Sequence, residues 1–215
     1  MKKLIIGASL ILSSMVYAGG CDNLYPNAKP VEVPNTVELC NSFYVSRFDT
    51  NNRATIATYE LLSKAKTGKV ARVNAFRADT RVKNSPAPQE YVNTGYDKGH
   101  MAPAADASTD QEMSETFLMT NMTPQEPTLN EQSWRLMEAA IRKQFDAGTK
   151  DLHILTIAVY DFNTAKRVGK GVPVPTGYYK VVYGDTIDYY FAENKPNAKV
   201  TKYSRIDIEK VLGLK

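Results

Sequence analysis

Hydrophobic side chains fall along this chain mostly in short runs with the period or the composition of strands, and only once with the period of a helix. Residues 43–48 (FYVSRF) and 55–62 (TIATYELL) read as two strands joined by a turn at Thr50, Asn51 and Asn52. Residues 70–76 suggest another strand. The continuous run 152–160 (LHILTIAVY) suits a strand buried in a central sheet. Residues 172–183 and 186–192 alternate and are split by Gly184 and Asp185, which predicts a hairpin. Asn84, Pro86, Pro88, Asn93 and Gly95 make 79–95 a surface loop. The helical period covers 131–147, where Trp134, Met137, Ile141 and Phe145 are spaced by 3, 4 and 4. Asn130 sits at its N-cap position and Gly148 at its end. A short helix over 207–212 closes the chain.

Residues 1–18 do not fit that pattern. Lys2 and Lys3 precede an apolar run from Leu4 to Val16, and Val16-Tyr17-Ala18 leads into Gly19-Gly20. This is the layout of a secretory signal peptide, with the domain at 19–215 and no membrane span after cleavage. The tetrapeptide Ala18-Gly19-Gly20-Cys21 faintly resembles a lipoprotein site but lacks its leucine. Export gives the two cysteines, Cys21 and Cys40, a default reading as a disulfide closing a loop of about 20 residues, worth on the order of 3 kcal/mol. A zinc pair is the weaker alternative, because no CxxC spacing exists.

The remainder is long enough for one well-buried domain. Without Lys2 and Lys3 the charged residues number 25 basic and 23 acidic, so bulk charge excludes little. Its distribution is more informative: Lys64, Lys66, Lys69, Arg72, Arg77, Arg81, Lys83 and Lys98 face only Asp79, Glu90 and Asp97 over the same span. Such a run fits a polyanion site, or equally a solvated surface.

Chemistry concentrates in 96–106, YDKGHMAPAAD. Asp97, Lys98, Gly99 and His100 are consecutive, and Pro103 ends any helix. A conformation open only to glycine at Gly99 is expected to turn the imidazole outward as a general base at a strand end. The alternative is a turn with an incidentally exposed histidine. Downstream, Thr120-Asn121-Met122-Thr123-Pro124-Gln125 brings amide side chains close to Asn130, whose plain reading is a helix cap.

Taken together, Asp97-Lys98-Gly99-His100-Met101-Ala102-Pro103, the segment 120–125, Leu129-Asn130, Trp134 and Glu138 resemble the signature of the DNA/RNA non-specific endonucleases of the ββα-metal class. Arg72, Phe76 and Asp79 match an upstream trio of that family, and 171–181 and 206–213 resemble its later hairpin and closing helix. The resemblance spans roughly residues 40 to 213. It implies an α+β fold, a central antiparallel sheet flanked by helices in a single domain.

The resemblance also implies roles. His100 is the expected general base and Asn130 the one side chain bound directly to a magnesium ion, with manganese a substitute. Glu138 is expected to hold metal-bound waters, Arg72 to clamp the scissile phosphate and Asn121 to support the site. An ordinary imidazole titrates close to working pH, which suits the base. Magnesium prefers oxygen donors and needs few protein contacts. The eight-residue step from Asn130 to Glu138 places them about 80° apart and roughly 12 Å along an α-helix, which favours a water-bridged glutamate. Lys98 departs from the arginine usual after the aspartate, losing the planar fork and implying lower precision or a packing role.

Expected substrates are DNA and RNA, single- or double-stranded, with little preference. Gly169-Lys170-Gly171 lies in hairpin context, and no nucleotide-cofactor glycine pattern occurs. His153 reads as a partly buried strand histidine with a satisfied hydrogen bond. The seven acids from Asp106 to Glu138 have no EF-hand or zincin order and read mostly as solvent-facing. The expected location is periplasmic or secreted. A degenerate nucleic-acid-binding module and a hydrolase of small phosphodiesters are the rival functions.

Overall fold

The computed structural model describes residues 21–30, 32–66 and 68–212; the proposed signal segment lies outside them. In chain order the strands are β1 (Val37–Cys40), β2 (Tyr44–Asp49), β3 (Ala54–Leu62), β4 (Asp97–His100) and β5 (Met122–Gln125). They continue with β6 (Leu152–Val159), β7 (Arg167–Val168), β8 (Val172–Pro173), β9 (Gly177–Tyr183), β10 (Ile187–Glu193) and β11 (Thr201–Tyr203). The α-helices are α1 (Asp110–Thr116), α2 (Arg135–Ala147) and α3 (Ile208–Val211).

Seven strands form one antiparallel sheet in the order β1-β2-β3-β6-β9-β10-β11, while β4 pairs with β5 and β7 with β8. The uninterrupted apolar run of β6 fits its central position, where β3 and β9 flank it and both faces are covered. On one face Trp134, just before α2, and Met137 and Ile141 of α2 are buried against Leu62, Ile154, Tyr178 and Val182. On the other, Cys21, Leu24, Tyr25 and Leu212 pack over Tyr59, Leu155, Ile157 and Val181. Cys21 is disulfide-bonded to Cys40, tying the N-terminal segment to β1. His153 lies on this second face, half-buried, with Nδ1 3.2 Å from the Leu24 carbonyl. Among the described residues no helix is long and apolar enough to cross a membrane.

Several sequence expectations need correction. Residues 70–76 form no strand; Arg77 makes only an isolated bridge to Leu118. The loop 79–95 is on the surface in part only, since Asp79, Glu90 and Tyr91 are buried. Asn130 is not an N-cap. The helix starts at Pro127, and Glu126 caps it, Oε2 accepting from Leu129 N at 2.9 Å and from Thr128 Oγ1 at 2.6 Å. A π-helical turn, Leu129–Trp134, precedes α2. Gly148 does end α2, but with φ −83°, so it acts as a stop without the left-handed conformation.

Candidate active site

Strands β4 and β5 and the helix that follows form a ββα unit docked on the α2 face of the sheet. Its anchor is Tyr178 on β9, whose hydroxyl lies 3.0 Å from Thr123 Oγ1 and 3.3 Å from the Pro124 carbonyl. Asn194 Nδ2 adds a 3.0 Å bond to the same carbonyl. The register sets Asp97 opposite Gln125 and His100 opposite Met122, so His100 ends β4.

Gly99 does not have the glycine-only conformation expected of it, for its φ is not positive. It is needed for space: a Cβ there would lie 2.5 Å from the Cβ of Gln125 and 2.3 Å from its Oε1. The close approach of β4 to β5 therefore requires glycine. His100 is likewise not turned fully outward. Its ring is half-buried, 5.0 Å from Phe117 edge-on and 5.9 Å from Phe76, and Nε2 is buried without a hydrogen-bond partner among the described residues. Burial, and then the charge of Arg72, push its pKa down to about 3, well below the ordinary imidazole value assumed from sequence.

Arg72 is exposed, its guanidinium 5.2 Å from the Phe117 ring, with Nε donating to Asn74 Oδ1 at 2.8 Å. Lys98 projects over Phe76, Nζ 4.9 Å from the ring centre, so its charge rests on an aromatic face. Arg72, Phe76, Lys98, His100 and Phe117 are thus one cluster.

Asn121 is fully buried. Its Oδ1 accepts from Ala102 N at 2.9 Å, and its Nδ2 donates to the carbonyls of Ala102 and Thr116, each at 2.9 Å. With every amide group engaged, it fixes the chain just beyond His100.

Asn130 is half-buried inside the π-helical turn, and its Nδ2 donates to Asp97 Oδ2 at 2.8 Å. That bond settles which way the amide faces: nitrogen is spent on Asp97 and Oδ1 remains as an oxygen donor. A π turn holds more residues than the 3.6 of an α-helix, so it winds back the roughly 80° separating Asn130 and Glu138 in an unbroken α-helix and brings them toward one face.

Glu138 enters a buried charge cluster that strand order alone assembles. Its Oε1 lies 3.1 Å from Nζ of Lys180 on β9, near enough for an ion pair but without hydrogen-bond alignment. Lys180 is only 1% exposed. Arg142, one turn beyond Glu138, donates from Nη1 to Asp106 Oδ1 at 2.9 Å. Glu60 on β3 completes the group. Burial, and then the Asp106 carboxylate, push the Glu60 carboxyl well above the ordinary range, and neither of its oxygens has a hydrogen-bond partner among the described residues. Burial likewise raises Glu138, while Lys180 opposes the shift.

The expectation that the acids from Asp106 to Glu138 mostly face solvent is therefore corrected, since only Asp110 and Glu131 are exposed. Glu112 is buried, with Lys66 paired to it and Ser108 N donating at 2.8 Å. Sequence reasoning also missed Glu60, Asp106, Arg142, Phe117 and Lys180. Only Arg142 carried a signal, its four-residue spacing from Glu138 on one helix face.

The basic run divides. Arg81 is committed to Asp79 at 2.7 Å and Arg77 to the Ser114 carbonyl at 2.7 Å. Lys64, Lys66, Lys69 and Arg72 border a cavity of about 610 Å3 together with Asp106 and Arg142. Asp97 and Asn130 thus meet at the start of β4 and His100 ends it, Glu138 belongs to the buried group around Lys180, and Lys64, Lys66, Lys69 and Arg72 line the cleft.

Known proteins share this fold. A crystal structure titled as the EndoG/EndoGI complex aligns with TM-score 0.72 at 24% identity, covering 82% of this chain and 83% of that one, which makes the fold that of the ββα-metal nucleases. A nuclease of Nostoc sp. is 33% identical over 155 residues, covering 69% of this chain and 54% of its own length. A nuclease of Serratia marcescens is 28% identical over 145 residues, covering 60% and 54% respectively. The chain thus spans about half the length of these curated relatives. Residues 23–212 match the family described as DNA/RNA non-specific endonuclease, and the chain belongs to that family.

Proposed function

We propose that this protein is an exported, metal-dependent, sugar-non-specific endonuclease that hydrolyses phosphodiester bonds of DNA and RNA. The observation that carries the reading is the buried, unpartnered Nε2 of His100 beside Arg72, at the end of the strand whose first residue holds Asn130. Family membership supports the substrate class.

His100 is the general base in this reading. An attacking water must lose a proton as it bonds to phosphorus, and a neutral ring nitrogen with no competing partner is free to take it. The depressed basicity serves to keep the ring neutral before substrate arrives. A phosphodiester anion bound to Arg72 offsets the cation that helps lower the ring's pKa, so basicity rises when the phosphate is in place. Arg72 clamps that phosphate, with an exposed guanidinium able to fork two of its oxygens. Asn121 holds the turn after His100.

The residues at Asn130 fit a divalent cation. Asn130 supplies Oδ1, fixed by Asp97, and Glu138 adds a carboxylate suited to holding metal-bound water. Magnesium, or manganese in its place, matches an all-oxygen donor set with few protein contacts. Bound there, the ion supplies positive charge that stabilises the leaving oxygen. Glu60, Asp106, Lys180 and Arg142 hold Glu138 from behind.

Residues 1–18 are the proposed export signal and 19–215 the nuclease domain, placing the protein in the periplasm or medium. The Cys21–Cys40 disulfide suits such an oxidising compartment. Purified protein is expected to degrade supercoiled plasmid, single-stranded DNA and RNA with divalent cation and to stop with EDTA. DNA retardation on a gel without metal-dependent nicking would select a binding module instead, and turnover of a chromogenic diester without polymer cleavage a small-ester hydrolase.

A further inference from the structure

The cavity of about 610 Å3 lies between residues 62–72 and the last turns of α2. Cavities that enclose small ligands measure about 300–1,000 Å3. Its floor is apolar: Leu62 and Met113 are buried, Val70 and Phe145 half-buried. Two arginines stand at its edge. Arg72 also covers the Phe117 ring that packs on His100, and Arg142 holds Asp106 in the Glu138 cluster. The hollow therefore adjoins the proposed site on both sides.

A sugar-phosphate backbone has no use for an apolar hollow. Phosphates are met by cations and N–H groups at a surface, and a duplex presents its backbone outward with its bases stacked inside. An unpaired strand differs, because each base can leave the stack and bury a flat face. Several polar groups around the hollow are already committed: Ser108 N and Oγ donate to Glu112, Asp106 accepts from Arg142, Lys66 pairs with Glu112 and Lys64 lies over the Phe145 ring. What remains, Lys69, Arg72 and Asp146, is exposed charge at the rim, which meets a backbone rather than reads a base edge.

Building on the nuclease reading above, we infer that this cavity seats one unpaired base of the nucleotide next to the bond being cut, while Arg72 holds the intervening phosphate. It accepts any base. Duplex and single strands both remain substrates, but unpaired strand binds more tightly.

Binding of an octathymidylate and of an abasic octamer with the same phosphates tests this in the His100→Ala variant, so that neither probe is consumed. The octathymidylate is expected to bind about tenfold more tightly, within what burying one base confers. Ala105 and Asp146 are exposed and border the cavity, so Ala105→Trp and Asp146→Trp fill it from two elements, with thermal unfolding confirming that each variant folds. Either filled variant is expected to lose the preference while retaining abasic binding. Equal affinity of the two octamers for the unfilled protein overturns the base seat and leaves the nuclease reading intact. A preference that survives both folded, filled variants overturns its location, and failure of either octamer to bind overturns both readings.

Discussion

Asn130 Nδ2 donates to Asp97 Oδ2 at 2.8 Å, joining the first residue of β4 to the π-helical turn before α2. One hydrogen bond thereby sets the orientation of the amide proposed as metal ligand and locks the helix to the strand that ends in His100. Replacing Asp97 by Asn removes the charged acceptor. A ligand-supporting partner of this kind typically contributes tenfold to a hundredfold in metal affinity. Asp97→Asn is therefore expected to weaken magnesium or manganese binding in calorimetry by about that factor, and Asn130→Ala by more. Unchanged binding isotherms would remove both residues from the metal site.

His100→Ala is expected to lower turnover of plasmid DNA by about two to four orders of magnitude with folding unaffected. The metal titration curve should keep its midpoint, which separates loss of the base from loss of the ligand. Near-normal digestion by the variant would take the base role away from His100.

Burial and Arg72 hold the His100 pKa at about 3, so its ring is expected to stay neutral at pH 5 in an NMR titration of the metal-free protein. The unfolded chain takes up a proton near pH 6.5 that the folded chain refuses until about 3. Unfolded protein thus binds more protons across that window, and the His100 contribution to stability falls as pH drops through it. Ring protonation near pH 6.5 would contradict the buried environment.

Glu90 gives an acid dependence of separate origin. Burial alone would raise its pKa, but the Arg53 fork (2.6 and 2.9 Å) and the backbone N–H groups of Ala87 and Lys170 outweigh burial and hold it at about 2. A depressed carboxylate stabilises above its unfolded pKa and loses that contribution as pH falls from 4.5 towards 2. Glu90→Gln is expected to cost on the order of 3 kcal/mol in urea unfolding at pH 7 and much less near pH 2. An equal cost at both pH values would refute the linkage.

The sequence made the main strands and one helix face legible because each carries its own period: β2, β3 and β6 follow their runs closely, and the β9–β10 hairpin turns where expected although β9 begins only at Gly177, Val172–Pro173 pairing instead with β7. Trp134, Met137 and Ile141 are buried as their spacing requires. The π-helical turn was invisible, because one wider turn leaves the downstream stripe unchanged while moving Asn130 relative to it. Strands β4 and β5 have four residues each, too few for alternation to register. At Gly99 the structural demand is the closeness of Gln125, a long-range contact, and not the torsional freedom that a glycine suggests from its neighbours alone. The cluster of Glu60, Asp106, Glu138, Arg142 and Lys180 depends on β3 and β9 flanking β6, a long-range pairing that no local pattern encodes. Likewise, the basicity of His100 is suppressed by burial and by Arg72, and the rings packed on it, Phe76 and Phe117, lie 24 residues before and 17 after it in the sequence.

Anomalous diffraction from crystals of the His100→Ala variant soaked in manganese and an oligonucleotide tests the central claim most directly. The expected map has one manganese peak in direct contact with Asn130 Oδ1, a scissile phosphate beside it within reach of Arg72, and the vacated His100 position facing the attacking side of that phosphate. A manganese peak bound away from Asn130, or a phosphate reached by the metal but turned away from position 100, would contradict it.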